Sequence, residues 1–142
     1  MGTNPFEETQ TRFTGVIRDR RRFPRVMLDR RGEVALADGD SAQVTIHDIS
    51  PDGLQLRCSG EVATTIRPSG RAVSHNEIPS IIRVALTLPL RAGAVPVSVP
   101  GRLLYFALIN RDLVAMGIEF TTLSSSSRRF LDTFIEQSLE PA

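Results

Sequence analysis

The chain has 142 residues, 41% of them hydrophobic and 23% charged, with a formal net charge of +1. That is enough for one hydrophobic core, and it excludes a disordered polymer and a general polyanion binder with a strong overall positive field. Its apolar runs are too short and interrupted to cross a bilayer, the first residues have no secretory pattern, and the single Cys58 excludes an internal disulfide. A cytoplasmic location without membrane insertion is therefore expected.

Residues 1–17 are polar and hold no period, which predicts a flexible N-terminal arm; residues 18–140 are expected to form a single domain. Residues 18–31 carry seven Arg against Asp19 and Asp29, a local excess of +5. From Arg25 onward, Val26, Leu28, Val34 and Leu36 predict a strand with a bulge near Gly32. Asp38-Gly39-Asp40 turns the chain. Val44, Ile46 and Asp48 fall on alternate positions of a second strand, Ser50-Pro51-Asp52-Gly53 makes a tight turn, and Leu54, Leu56 and Cys58 resume the alternation, giving a hairpin with a buried thiol. A loop insertion over about residues 60–79, with Pro68, Gly70 and Asn76, fits a loop containing a short helical or extended piece. Residues 81–88, 95–108 and 113–120 are strand-like, the last two forming a hairpin around Asn110-Arg111-Asp112. Ser124 to Ser127 supply N-cap candidates, after which Phe130, Leu131, Phe134, Ile135 and Leu139 form a helical stripe. Six strands and one closing helix predict a mainly β fold, a small antiparallel barrel covered by its C-terminal helix.

The chemistry concentrates in two stretches, the Arg run ending at Arg25 and the turn beginning at Asp48. Guanidinium groups present parallel donors that fit the O6/N7 edge of guanine and a phosphate. A carboxylate and a hydroxyl on a Gly-containing turn accept from the opposite, donor-rich edge of the same base. Either feature alone is ordinary, since Arg runs are commonly solvated and Asp-x-Ser turns commonly bond to their own backbone. Their joint placement on successive strands favours a binding site for a guanine-bearing phosphate ligand.

Other functions are less well supported. His47 and Asp48 are strand neighbours, expected on opposite faces, which disfavours a relay between them. His75 has no metal-ligand spacing around it, and there is no nucleophile elbow, phosphate-binding Gly loop or acid pair. No enzyme, metal or cofactor is expected. A nucleic-acid-binding β-barrel is the alternative, opposed by the near-zero net charge, a single Tyr and no Trp.

Arg21-x-x-x-Arg25 followed by Asp48-x-Ser50-x-x-Gly53 resembles the two signature motifs of PilZ domains, bacterial receptors for the second messenger cyclic di-GMP. Gly101-Arg102-Leu103-Leu104-Tyr105 is similar to that family's penultimate strand, and Met116-Gly117-Ile118-Glu119-Phe120 to its Gly-x-x-Phe ending. The resemblance covers about residues 18–139. It implies a six-stranded antiparallel PilZ-type β-barrel with a C-terminal α-helix, with the first motif on a loop that wraps over the ligand and the second on the barrel surface. Arg21 and Arg25 would then contact guanine edges and phosphates, Asp48 would accept from guanine N1 and N2, and Ser50 would bond to base or phosphate. Gly53 would permit the turn and a close backbone approach. Arg20 precedes the first motif, and relatives with Arg there tend to bind cyclic di-GMP as an intercalated dimer. Arg18-x-x-x-Arg22 also fits the motif, but Val26 opening the strand favours Arg21 and Arg25. Tyr105 stands near a family Trp, with stacking and barrel packing both open. With no attached output domain, the resemblance implies a stand-alone receptor that orders its Arg-rich loop and signals to an unidentified downstream effector protein. A non-binding PilZ-like adaptor is the remaining alternative, and the retained motif residues oppose it.

Overall fold

Alternating apolar residues on six strands turn one face inward around a shared core. The computed structural model describes residues 24–140; the expected arm and Arg18, Arg20, Arg21 and Arg22 lie outside the described residues. The strands are β1 (Val26–Ala35), β2 (Ser41–Ser50), β3 (Gly53–Cys58), β4 (Ile81–Leu90), β5 (Gly93–Asn110) and β6 (Leu113–Phe120), with helices α1 (Gly60–Ile66) and α2 (Ser125–Leu139). They close in the order β1-β2-β3-β6-β5-β4, with every neighbouring pair antiparallel, so each strand has a partner on both sides. The interior is filled by inward residues such as Val34, Ile46, Ile49, Leu56, Val84, Leu88, Val99 and Met116.

The terminal helix forms as its pattern predicts. Ser124 caps it, its Oγ accepting from the Ser127 amide at 3.1 Å. Leu131, Phe134 and Ile135 are buried where α2 packs on β4, β5 and β1. Leu139, expected on the same stripe, is 56% exposed because the helix ends there, beyond the barrel it covers.

Three departures from strict alternation matter for the site. The bulge expected near Gly32 lies instead between Met27 and Arg30, where Asp29 adopts φ 48°, while Gly32 pairs regularly with Val44 and Leu86. Asp tolerates this left-handed conformation better than most residues. In β2 the register shifts between Ile46 and Asp48, so Asp48 does not continue the inward phase of Val44 and Ile46. Ile46 and Ile49 are both fully buried although three residues apart, which a regular strand cannot achieve; the extra residue at His47 makes it possible. Leu103 is inward in regular phase with Val97 and Val99, and a third shift, between Leu103 and Tyr105 in β5, takes the half-buried Tyr105 out of that phase.

The stretch expected as a loop insertion is partly core. Ser59 caps α1 by accepting from the Val62 amide, and Ala63 is buried beneath it. Beyond α1, Arg67 gathers the following segment. Its guanidinium donates to both carboxylate oxygens of Glu77, at 3.1 and 3.0 Å, and to the carbonyls of Arg71 and Ala72. That bonding, with the Ser74 amide, holds the Glu77 carboxyl below its ordinary value.

Cys58 is buried as expected, and burial pushes its thiol up to about 11 from 9.0. The folded state keeps this proton longer than the unfolded chain. The resulting stability is therefore complete below pH 9.0 and is lost as pH rises from 9.0 toward about 11. At pH 8 a thiol reagent is expected to label the protein at least about a hundredfold more slowly in buffer than in denaturant. Equal labelling rates would show Cys58 to be open.

Candidate functional site

The site is built on a single cross-strand row. Met27 pairs with Asp48, Asp48 with Gln55, Gln55 with Gly117, and Gly117 with Tyr105, crossing β1, β2, β3, β6 and β5 in turn. The three bulges lie beside this row. Bulges re-aim side chains while leaving the neighbouring core intact, and here they present polar groups outside strands whose other face is packed.

Arg25, just ahead of β1, donates from Nη1 to Asp48 Oδ1 at 3.0 Å. Asp48 as a residue is only 8% exposed. The structure thus brings the second Arg of the first motif onto the Asp of the second, across 23 residues of sequence. Arg20 and Arg21 belong to the residues outside the description. His47, next to Asp48, does not serve it: the Nδ1 of His47 meets Asp29 Oδ1 at 2.8 Å, linking the β1 bulge to the β2 bulge.

The turn after Asp48 is tied from three sides. Ser50 is 1% exposed, and its hydroxyl donates to Asp52 Oδ1 at 2.6 Å and lies 3.3 Å from the Gly53 carbonyl. The Phe120 amide donates to the Asp52 carbonyl at 2.9 Å. Arg128, in the first turn of α2, donates to the Pro51 carbonyl at 2.7 Å. Ser50 therefore shapes the turn in this conformation. Gly53 is required on steric grounds, since a Cβ there would fall 2.2 Å from the Ile118 carbonyl oxygen and only glycine lets β3 approach β6 at this point. Its φ is not positive, so close approach, rather than a left-handed turn, is what requires the residue.

Gln55 and Tyr105 extend the row. Gln55 Nε2 donates to the Tyr105 hydroxyl at 2.7 Å, and its Oε1 accepts from Arg57 Nε at 2.8 Å. The Tyr105 ring lies over Gly117, where an added Cβ would come within 2.0 Å of a ring carbon. Packing and outward presentation of Tyr105 are thus compatible. Sequence reasoning passes over Gln55 and Arg57, although the inward phase of Leu54 and Leu56 already puts both on the outer face. Among the described residues, no three His, Cys, Asp or Glu side chains converge as a metal site.

The row offers guanidinium donors, a carboxylate acceptor and an aromatic face on one surface, a combination suited to a planar base with an anionic backbone. A family profile for the PilZ domain matches residues 19–137. The fold resembles the PilZ domain with c-di-GMP of YcgR from Escherichia coli, at TM-score 0.57 and 14% identity over 84% of this chain and 92% of that one. It also resembles the K. pneumonia MrkH complex with c-di-GMP, at TM-score 0.60 and 16% identity over 84% of this chain and 52% of that one. A third likeness is to the Bacillus subtilis inhibitor of motility MotI/DgrA, at TM-score 0.57 and 10% identity over 84% of this chain and 51% of that one. The chain thus spans about half the length of the last two. At these identities the likeness is one of fold. A search of curated proteins by sequence finds no match.

Proposed function

Because the chain belongs to the PilZ domain family, we propose that it is a receptor for cyclic di-GMP, the ligand named with the YcgR domain and the MrkH complex. The observation that carries this reading is the Arg25–Asp48 pair, a guanidinium fork and a carboxylate held face to face on the outer barrel wall. In the free protein each neutralises the other. On binding, Asp48 turns to accept from guanine N1–H and N2–H, and Arg25 turns its donors to the O6/N7 edge or a phosphate. One charge-assisted interaction is replaced by several.

Arg20 and Arg21 complete the cationic side, with residues 1–17 as an arm and residues 18–140 as the receptor domain. Ser50 and Gly53 set the turn that aims Asp48, and Ser50 reaches the ligand only if its hydroxyl leaves Asp52. The ligand enters as an intercalated dimer, with Arg20 clamping the second molecule. Ordering of the Arg-rich segment is the signal, read by a separate effector protein in the cytoplasm. This role is binding without turnover.

Calorimetric titration with cyclic di-GMP tests the reading, with saturation in the micromolar range, about 8 kcal/mol, as the expected result. No heat at high micromolar ligand would end it. A second observable is available because Tyr105 is the only Tyr and the chain has no Trp, so intrinsic emission reports this ring alone. Guanine stacking near Gln55 is expected to change that emission saturably, with the same midpoint as the heat. A titration with saturating heat but constant emission would place the base away from Tyr105.

A further inference from the structure

β5 outruns its neighbour β4. Their pairing ends where Arg102 meets Ile81, whereas β5 stays paired with β6 as far as Asn110, opposite Leu113. The segment leading into β4 adds one bond, from the Leu103 amide to the Ser80 carbonyl at 2.9 Å. From Leu104 to Asn110, the side of β5 away from β6 has no backbone partner among the described residues. The barrel therefore keeps one open strand edge.

Open edges are ordinarily guarded by charges, proline or short length. Residues 103–110, Leu-Leu-Tyr-Phe-Ala-Leu-Ile-Asn, contain no charge and no proline. Leu104, Leu108 and Ile109 are all exposed, Leu108 by 69%. The register shifts of β5 fall on either side of Tyr105 to Leu108, which pair in regular order with Gly117 to Val114. Tyr105, bonded to Gln55, and the exposed Ala107 lie on the outer face, while Phe106 and Leu108 take the phase of the buried Met116 and Val114.

The geometry points to a second copy of this chain as the occupant of that edge, its own β5 pairing antiparallel with this one about a two-fold axis at Ala107. A two-fold perpendicular to the sheet keeps each face on its own side, so opposed residues must share a face. With Ala107 opposite its own copy, Tyr105 stands opposite Ile109 of the second copy, Phe106 opposite Leu108, and Asn110 opposite Leu104. The small residue lies on the axis, where two identical side chains must fit together, and each aromatic meets an aliphatic, as stable cross-strand pairs do. Charge agrees, because the same register sets Arg102 against Asp112 of the second copy. The neighbouring registers fit worse: an axis at Phe106 opposes two bulky rings, and an axis at Leu108 sets Asp112 against Leu104. Pairing at Ala107 covers the apolar edges of both copies at once.

Sedimentation velocity of the full chain without ligand, from about 5 to 500 µM, tests the proposal, and the wild type is expected to pass from monomer to dimer within that range, as a small interface allows. Ala107→Arg puts like charges across the axis and is expected to weaken dimerisation at least about tenfold. Ala107→Cys tests the register. Directly opposed Cβ atoms lie about 4.5–5.5 Å apart, close to disulfide range. Mild oxidation is therefore expected to cross-link this variant at least about tenfold faster than the control Ala85→Cys, at an exposed position of β4. Cys58 is buried and does not compete. A wild type that stays monomeric at the highest concentration would overturn the proposal and leave the edge to a strand of another protein. A dimer that Ala107→Arg leaves intact, or equal cross-linking of the two Cys variants, would also overturn it. Should Ala107→Arg not fold, as thermal melting would show, Ala107→Cys decides alone. None of these outcomes touches the receptor reading, which calorimetry tests separately.

Discussion

Arg25→Ala is expected to weaken cyclic di-GMP binding by about ten- to a hundredfold while leaving the barrel folded. A well-formed bidentate guanidinium contact to guanine contributes about 1 to 3 kcal/mol of discrimination, and about 1.4 kcal/mol corresponds to a factor of ten. The same substitution strips Asp48 of the partner that holds it in the free protein. The carboxylate is then free to rotate or to recruit water, and the ligand loses an aimed acceptor as well as a donor. The structural cost is smaller. With side-chain exposures of 27% and 12%, the pair lies between a surface bridge and a buried one, and its loss is expected to cost about 1 kcal/mol of stability. Calorimetry and thermal melting on the same sample separate the two effects. An unchanged dissociation constant in the folded variant would remove Arg25 from the site.

Gly53→Ala is expected to have the larger effect on the fold. The added methyl would meet the Ile118 carbonyl oxygen at 2.2 Å, and that oxygen belongs to the backbone of the adjacent strand. No rotamer change relieves the clash, so β3 and β6 must separate where Gly53 pairs with Glu119. Overpacking of this kind costs about 3 kcal/mol, about 10 °C in melting temperature for a chain of this size. Gly60→Ala provides the contrast. A Cβ there meets nothing within 4 Å, and Gly60 begins α1. Alanine at that position is expected to be neutral or stabilising by up to about 1 kcal/mol. Denaturant midpoints for the two variants test the argument, and a Gly53→Ala midpoint equal to wild type would show that the strands can part without loss.

The consequence for binding follows from the same geometry. Asp48 and Gly53 bracket a turn that Ser50, Phe120 and Arg128 hold from three directions. A change that opens β3 from β6 therefore also releases the turn that aims Asp48. Gly53→Ala is expected to lower affinity through position, whereas Arg25→Ala lowers it through a lost donor.

Much of this is legible in the chain itself. The alternation of Leu54, Leu56 and Cys58 predicts β3 and its buried thiol, and the Ser run before Phe130 predicts the cap and start of α2. The Arg and Asp-x-Ser stretches mark two of the partners that meet, Arg25 and Asp48. These are local signals: a period of two or 3.6, a capping hydroxyl, a cluster of one charge.

The bulges carry no comparable signal. Asp29 and His47 are unremarkable residues, and Gly32 draws the expectation of a bulge because glycine is the usual marker. The true position depends on which residues of the neighbouring strands must face the core. Ile46 and Ile49 can both be buried only if one residue between them drops out of register, and that demand comes from the closed barrel rather than from either residue's neighbours. The short helical or extended piece expected inside the loop is the helix α1, and what the local sequence does not carry is the burial of Ala63, which depends on the barrel packed beneath it.

Six alternating strands and a capped terminal helix are written in the order of the residues, since each depends on side chains a few positions apart, and Arg25 and Asp48 are marked there as members of two separate stretches. Pairing between strands places Asp48, Gln55, Gly117 and Tyr105 in one row and sets Arg31 and Arg57 on either side of Thr45. Those neighbours are fixed by inter-strand register. A single bulge reassigns every pair beyond it, so the local pattern of any one strand cannot specify them.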